Sequence, residues 1–196
     1  MKKIFCIISL LFCLIPFCVY AESSSSLSFR YDLTFDSTVD DIIAAEGADP
    51  TFKIANYVLY EEVLTAGKAS QVFYIMDDDG TISMCSIFIN DKHSQEQKYV
   101  FDYNEIDKLL TEKYGDPSQP KDVKWFDTLF MDNPDKLGLA VCSGDALITT
   151  RWSLDGLHIT HALNGDNYEF SHIITYSPVP FEEHGGFSTS AKDSGL

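Results

Sequence analysis

The sequence predicts an α+β fold: antiparallel strands with helices packed on one sheet face, built by tandem duplication of a helix followed by a four-stranded meander. Three observations lead there. First, "VDDIIAAEGADP" (39–50) and "IDKLLTEKYGDP" (106–117) align at an offset of 67, with Asp40/Asp107, Asp49/Asp116 and Pro50/Pro117 identical. Second, turn pairs recur downstream: Ala66-Gly67 with Ser143-Gly144 at an offset of 77, and Asp79-Gly80 with Asp155-Gly156 at 76. Third, "KYVFDY" (98–103) and "HIITYS" (172–177) read as closing strands at an offset of 74. The step in offset places an insertion of nine or ten residues between Pro117 and Leu137.

In chain order, residues 1–21 read as a signal peptide. Lys2-Lys3 is the basic start, Ile4 to Tyr20 is apolar apart from Ser9, and Val19-Tyr20-Ala21 is a cleavage pattern, so cleavage is expected after Ala21. Pro16 and the short length argue against a permanent membrane anchor. Cys18 follows Phe17 and Cys13 follows Phe12, so neither stands in a lipobox. Residues 22–26 are a serine-rich linker, and Leu27 to Phe35 is expected to be a leading strand. Ser37 before Asp40 and Asn104 before Asp107 resemble capping boxes with Asp in place of Glu. Val39, Ile42, Ile43 and Ile106, Leu109, Leu110 give each helix one apolar stripe, and Gly47 and Gly115 end them. The expected organisation is a first unit over 27–103, a second over 104–178, and a disordered tail over 179–196.

Loss of the signal, which carries two lysines and no acid, takes the formal charge from −16 to −18. Such a chain repels phosphate backbones and anionic lipid surfaces, which argues against nucleic-acid binding. The expected compartment is the periplasm or the exterior, with no membrane anchor after cleavage. Only Cys85 and Cys142 remain in the mature chain. They either pair in an oxidising compartment or serve as small buried hydrophobes.

Taken with the antiparallel meander that follows it, each "Asp/Ser-x-x-x-V-x-x-I-x-x-x-x-G-x-P"-like helix resembles the SmpA/OmlA-type units of bacterial envelope proteins. Two in tandem resemble the beta-lactamase inhibitory protein architecture. The resemblance covers most of Phe29–Tyr176 and implies protein binding, with no catalytic residues to carry over.

The residues themselves show little chemistry. A two-residue turn at Asp155-Gly156 pairs Leu154 with Leu157, Trp152 with Ile159 and Arg151 with Thr160. Ile148, Trp152, Leu154, Leu157, Ile159 and Leu163 then face the helices, while Arg151, Ser153, His158 and Thr160 face away. A second two-residue turn at Asn164-Gly165 would place Glu169 beside Thr160 and Ser171 beside His158. Ser153, His158 and Ser171 form a row in which no acid orients the imidazole, as a triad requires. His158 and His161, three apart in a strand, point to opposite faces and cannot share a metal ion. "DDDG" at 77–80 reads as a hairpin turn, not a calcium loop. No metal or cofactor is expected.

Carried back by 76 residues, the same face assignment places Phe73, Ile75, Ile82 and Met84 opposite the helices. A bulged turn at Asp78-Asp79-Gly80 would instead reverse the faces and put Tyr74 and Met76 outside. The expected function is therefore an exported, non-enzymatic binding module, an inhibitor or envelope accessory. Its open face would run from Phe73, Ile75, Ile82 and Met84 to Arg151, His158, Thr160 and Glu169, with Arg151 suited to a carboxylate on a protein partner. The alternative is an extracytoplasmic hydrolase with a groove between the two units.

Overall fold

The computed structural model describes residues 27–180. The expected signal peptide and linker, and residues 181–196 of the expected tail, lie outside them. Eight strands form one antiparallel sheet: β1 (Phe52–Ile54), β2 (Tyr57–Thr65), β3 (Lys68–Met76), β4 (Ile82–Ile89), β5 (Gln119–Trp125), β6 (Ala146–Leu154), β7 (Leu157–Asp166) and β8 (Glu169–Ser177). Their order is β1-β2-β3-β4-β8-β7-β6-β5. Helices α1 (Val39–Glu46), α2 (Gln97–Tyr114) and α3 (Leu137–Ser143) pack on one face. In place of the expected leading strand, Arg30–Asp32 forms a 3-10 turn.

The tandem duplication is corrected by this architecture. The sheet is continuous through the β4–β8 pairing, and three helices of unequal length cover it. The supposed correspondences join unlike elements. Ala66-Gly67 turns β2 into β3, whereas Ser143-Gly144 closes α3. The turn at Asp79-Gly80 links β3 to β4, but Asp155-Gly156 links β6 to β7, one strand earlier in its set of four. Residues 98–103 are helical and 172–177 are strand. The stretch read as an insertion supplies β5 and the approach to α3.

Helix α2 explains most of the difference. "KYVFDY" has strand-like composition, yet Val100, Tyr103, Ile106 and Leu110 are the buried apolar residues of a single 18-residue helix. Three- and four-residue spacing over three turns outweighs local β propensity once the stripe docks. Asn104 is therefore mid-helix and caps nothing. The cap of α1 is Thr38, not Ser37, in a capping box with Asp41. Gly47, at φ 71°, does end α1, and Gly115 ends α2.

Two core clusters lie beneath the helices. One joins Phe29, Ile42, Ile106 and Leu110 to Val72, Tyr74 and Trp152, and so includes strands from both halves of the chain. The other joins Val100, Tyr103 and Val141 to Ile148 and Leu163. Helix α2 runs across 103/104 and contributes to both.

Asn164-Gly165 is not a turn. β7 continues to Asp166, and the reversal falls at Asn167-Tyr168, both at positive φ. Gly165 answers to packing: a Cβ there would lie 2.6 Å from the Val141 carbonyl oxygen and 2.9 Å from the Cys142 Cα, so α3 presses directly on the strand. Cys85 and Cys142 are both buried and free. They act as small core residues, one in β4 and the other in α3.

Candidate interaction face

The sheet face away from the helices is organised by register. Directly opposed antiparallel residues share a face, so the pairings trace rows across the sheet. One row crosses all eight strands. It begins with Phe52, Leu59 and Phe73, passes through Ser86, Thr175 and Thr160, and ends with Arg151 and Gln119. A second holds Ile54, Tyr57, Ile75 and Met84. A third runs from Gln71 and Phe88 through Ile173 and Ala162 to Thr149 and Asp122. The first row changes from apolar to polar as it passes from the β1 side to the β5 side, the second is apolar throughout, and the third holds Phe88, Ile173 and Ala162 between Gln71 and Thr149.

The apolar half is accessible. Phe52, Ile54 and Tyr57 are 53, 56 and 40% exposed, and Leu59, Phe73, Ile75, Met84 and Phe88 are half-buried. Tyr57 stacks on Phe73 with ring centroids 5.4 Å apart. The polar half is tied together at its seams. The hydroxyls of Ser86 and Thr175 lie 3.4 Å apart, and Arg151 Nη1 donates to Gln119 Oε1 at 3.3 Å. His158 sits opposite Ser153 on one side and Ser177 on the other, and its Nδ1 has no hydrogen-bond partner among the described residues.

Of the residues singled out from sequence, Phe73, Ile75, Met84, Arg151, His158 and Thr160 lie on this open face, while Tyr74 and Met76 are in the core. Two placements are corrected. Ile82 is 1% exposed beneath the helices, because an irregularity between Ile75 and Met76 pairs Met76 with Ile82 and shifts the alternation at the start of β4. Glu169 pairs with Asp166 at the far hairpin, and Thr160 pairs with Thr175. By the same slip, Ser177 and not Ser171 is the neighbour of His158. Sequence reasoning missed Phe52, Ile54, Tyr57 and Leu59. Their signal was a strand alternation across the Ala55-Asn56 turn, which the repeat alignment obscured.

The helix-covered face carries the other concentration of polar chemistry. His161 Nδ1 lies 3.2 Å from Asp107 Oδ1, and His161 Nε2 lies 2.9 Å from His172 Nε2. With Nδ1–H donating to the carboxylate, His161 Nε2 is left as acceptor and His172 must be the donor. One proton bridges the two rings. Tyr103 stacks on His161 at 3.9 Å, nearly parallel, and its hydroxyl meets Thr150 Oγ1 at 2.8 Å. Burial pushes the His161 pKa down despite Asp107, and burial with repulsion from His161 takes His172 to about 3. Burial opposes ionisation of Asp107, but the His161 and Thr150 hydrogen bonds hold its pKa below the usual value. Nearby, Asp102 accepts from Lys68 Nζ at 2.7 Å and also bonds His93.

The two histidines are sealed, with His161 0% and His172 3% exposed, while the Asp107 side chain is 20% exposed. A buried Arg30–Glu46 pair is equally closed. Arg30 Nε donates to Glu46 Oε1 at 2.6 Å, Nη2 donates to Oε2 at 2.9 Å, and the Tyr74 hydroxyl donates to Oε1 at 2.6 Å. Both networks hold the helix side together.

No family model matches the chain, and no curated protein matches it. Among solved structures it is similar to a DUF4309 family protein (YjgB) from Bacillus subtilis, at 15% identity over 74% of this chain and 81% of that one, with a TM-score of 0.39.

Proposed function

We propose that the chain is an exported protein-binding module that engages its partner through the open sheet face. The carrying observation is the band formed by Phe52, Ile54, Tyr57, Phe73 and Ile75 on a face that no helix covers among the described residues. Large apolar side chains grouped on one solvent face are the usual anchors of protein interfaces, and a polar rim gives them specificity. The sheet edges are less suited to the role. β1 is only three residues long, and β5 carries Pro120, Lys121 and Lys124, features that discourage strand addition. Export rests on the N-terminal sequence.

The test is affinity purification from the native envelope with the wild-type chain and an Ile54→Glu/Tyr57→Glu variant. A protein retained by the wild type and lost by the variant is expected. Equal retention by both, or hydrolysis of ester, peptide or glycan substrates by the purified chain, would overturn the proposal. N-terminal sequencing of the exported form should begin at Glu22.

A further inference from the structure

We infer that the partner presents a cationic amphipathic segment, with basic residues beside an apolar stripe. The inference rests on the open face being an interaction surface and goes further by naming what that surface accepts.

The apolar rows set the size of the occupant. From β1 to β4 the band crosses four strands, roughly 15 Å at the usual strand spacing. That length matches about three turns of helix, which would place three or four anchors at i, i+3, i+4 and i+7. The Tyr57–Phe73 stack supplies a rigid apolar centre for them.

Charge sets the sign. At the β3–β4 end the Ile54–Tyr57–Ile75–Met84 row meets the turn Asp77-Asp78-Asp79. A cavity of about 500 Å³ opens there, lined by Ile75 and Met76 together with the three aspartates, Asn56 and Ser83. Apolar wall and acidic rim in one cavity suit a lysine or arginine, whose stem is apolar and whose head is charged. Asp79 accepts from the Thr81 backbone N–H at 3.0 Å and its hydroxyl at 2.7 Å, and these bonds hold its pKa below the usual carboxylate value. The carboxylates of Asp77 and Asp78 have no ion-pair partner among the described residues. At the other end of the band Glu61 and Glu62 are exposed. Acids at both ends of an apolar strip reject an anionic occupant and complement one that alternates Leu with Lys or Arg.

The experiment titrates the mature chain with two labelled 14-residue amphipathic peptides, one of Leu and Lys and one of Leu and Glu, and follows fluorescence anisotropy. The Leu/Lys peptide should bind. Asp77→Asn/Asp78→Asn should weaken it about fivefold to tenfold, Tyr57→Ser should weaken it at least as much, and added salt should weaken it further. Asp122→Asn, an acid on the distant half of the same face, should change little and so separates this site from general attraction to an acidic protein. Equal binding of both peptides, or indifference to the Asp77/Asp78 change, overturns the cationic partner while leaving the open face as an interface. Indifference to Tyr57→Ser overturns the reading of the face itself. Binding of neither peptide, with envelope capture still dependent on Ile54 and Tyr57, assigns the face to a different class of partner and sinks this inference alone.

Discussion

The two faces of this sheet use similar residues to opposite ends. On the covered face, aromatic and polar groups complete each other. Trp152 Nε1 donates to the Gly115 carbonyl at 2.9 Å, Tyr74 donates to Glu46, and Tyr103 lies flat on His161. On the open face Tyr57 and Phe73 also stack, but Phe52 and Ile54 beside them remain more than half exposed. The first arrangement is what stability requires, since buried polar groups cost free energy unless they are paired. The second leaves apolar surface in water, which contributes nothing to this fold and becomes favourable only when something covers it. The comparison teaches that substitutions on one face should report on folding, and on the other on binding.

Four changes would break or sharpen that contrast. The largest effect is expected from Trp152→Ala, which empties a 1%-exposed site and orphans the Gly115 carbonyl; about 3–5 kcal/mol of stability should be lost in urea unfolding. Glu46→Gln comes next. It leaves the buried Arg30 guanidinium without its counter-charge and should cost about 3 kcal/mol by the same measurement. A loss under about 1 kcal/mol would mean that water reaches Arg30.

The third concerns pH. His161 and His172 have folded pKa values below the unfolded value, so the unfolded chain takes up protons first as pH falls. Stability should therefore decline as pH falls below about 6.5 toward the lowered folded value of about 3 for His172, with His161 adding a loss in the same direction. Asp102 and Asp107, whose folded pKa values are also lowered, add a further loss as pH drops through the ordinary carboxylate range. His172→Gln should flatten the upper part of that profile. An unchanged slope would remove the one-proton bridge from the account. The smallest effect on folding is expected from Ile54→Thr/Tyr57→Ser, within about 1 kcal/mol of wild type in the same unfolding assay, because both side chains are already exposed. A loss approaching that of Trp152→Ala would mean that the open face belongs to the fold.

What the sequence determined by itself is what short-range rules control. The Asp155-Gly156 turn and the alternation around it specify the β6–β7 register, Trp152 against Ile159 and Arg151 against Thr160, because a two-residue turn leaves one pairing that keeps the apolar side chains together. Gly47 and Gly115 end their helices for an equally local reason. Tertiary structure decided the rest. Residues 97–103 became helix because Val100 and Tyr103 found α3, β6 and β7 to dock against, a choice invisible in a window that reads Tyr-Val-Phe as strand. Gly165 entered a strand because α3 needed the space above it. Ile82 went inside because one irregularity in the β3–β4 ladder moved it. The β4–β8 pairing made one sheet from two sets of strands, joining Ser86 to Thr175 and Cys85 to Tyr176 across nearly half the chain. No local pattern encodes such a contact: pairing free energy comes from burying both strands under shared helices, and that benefit exists only once the whole sheet has formed.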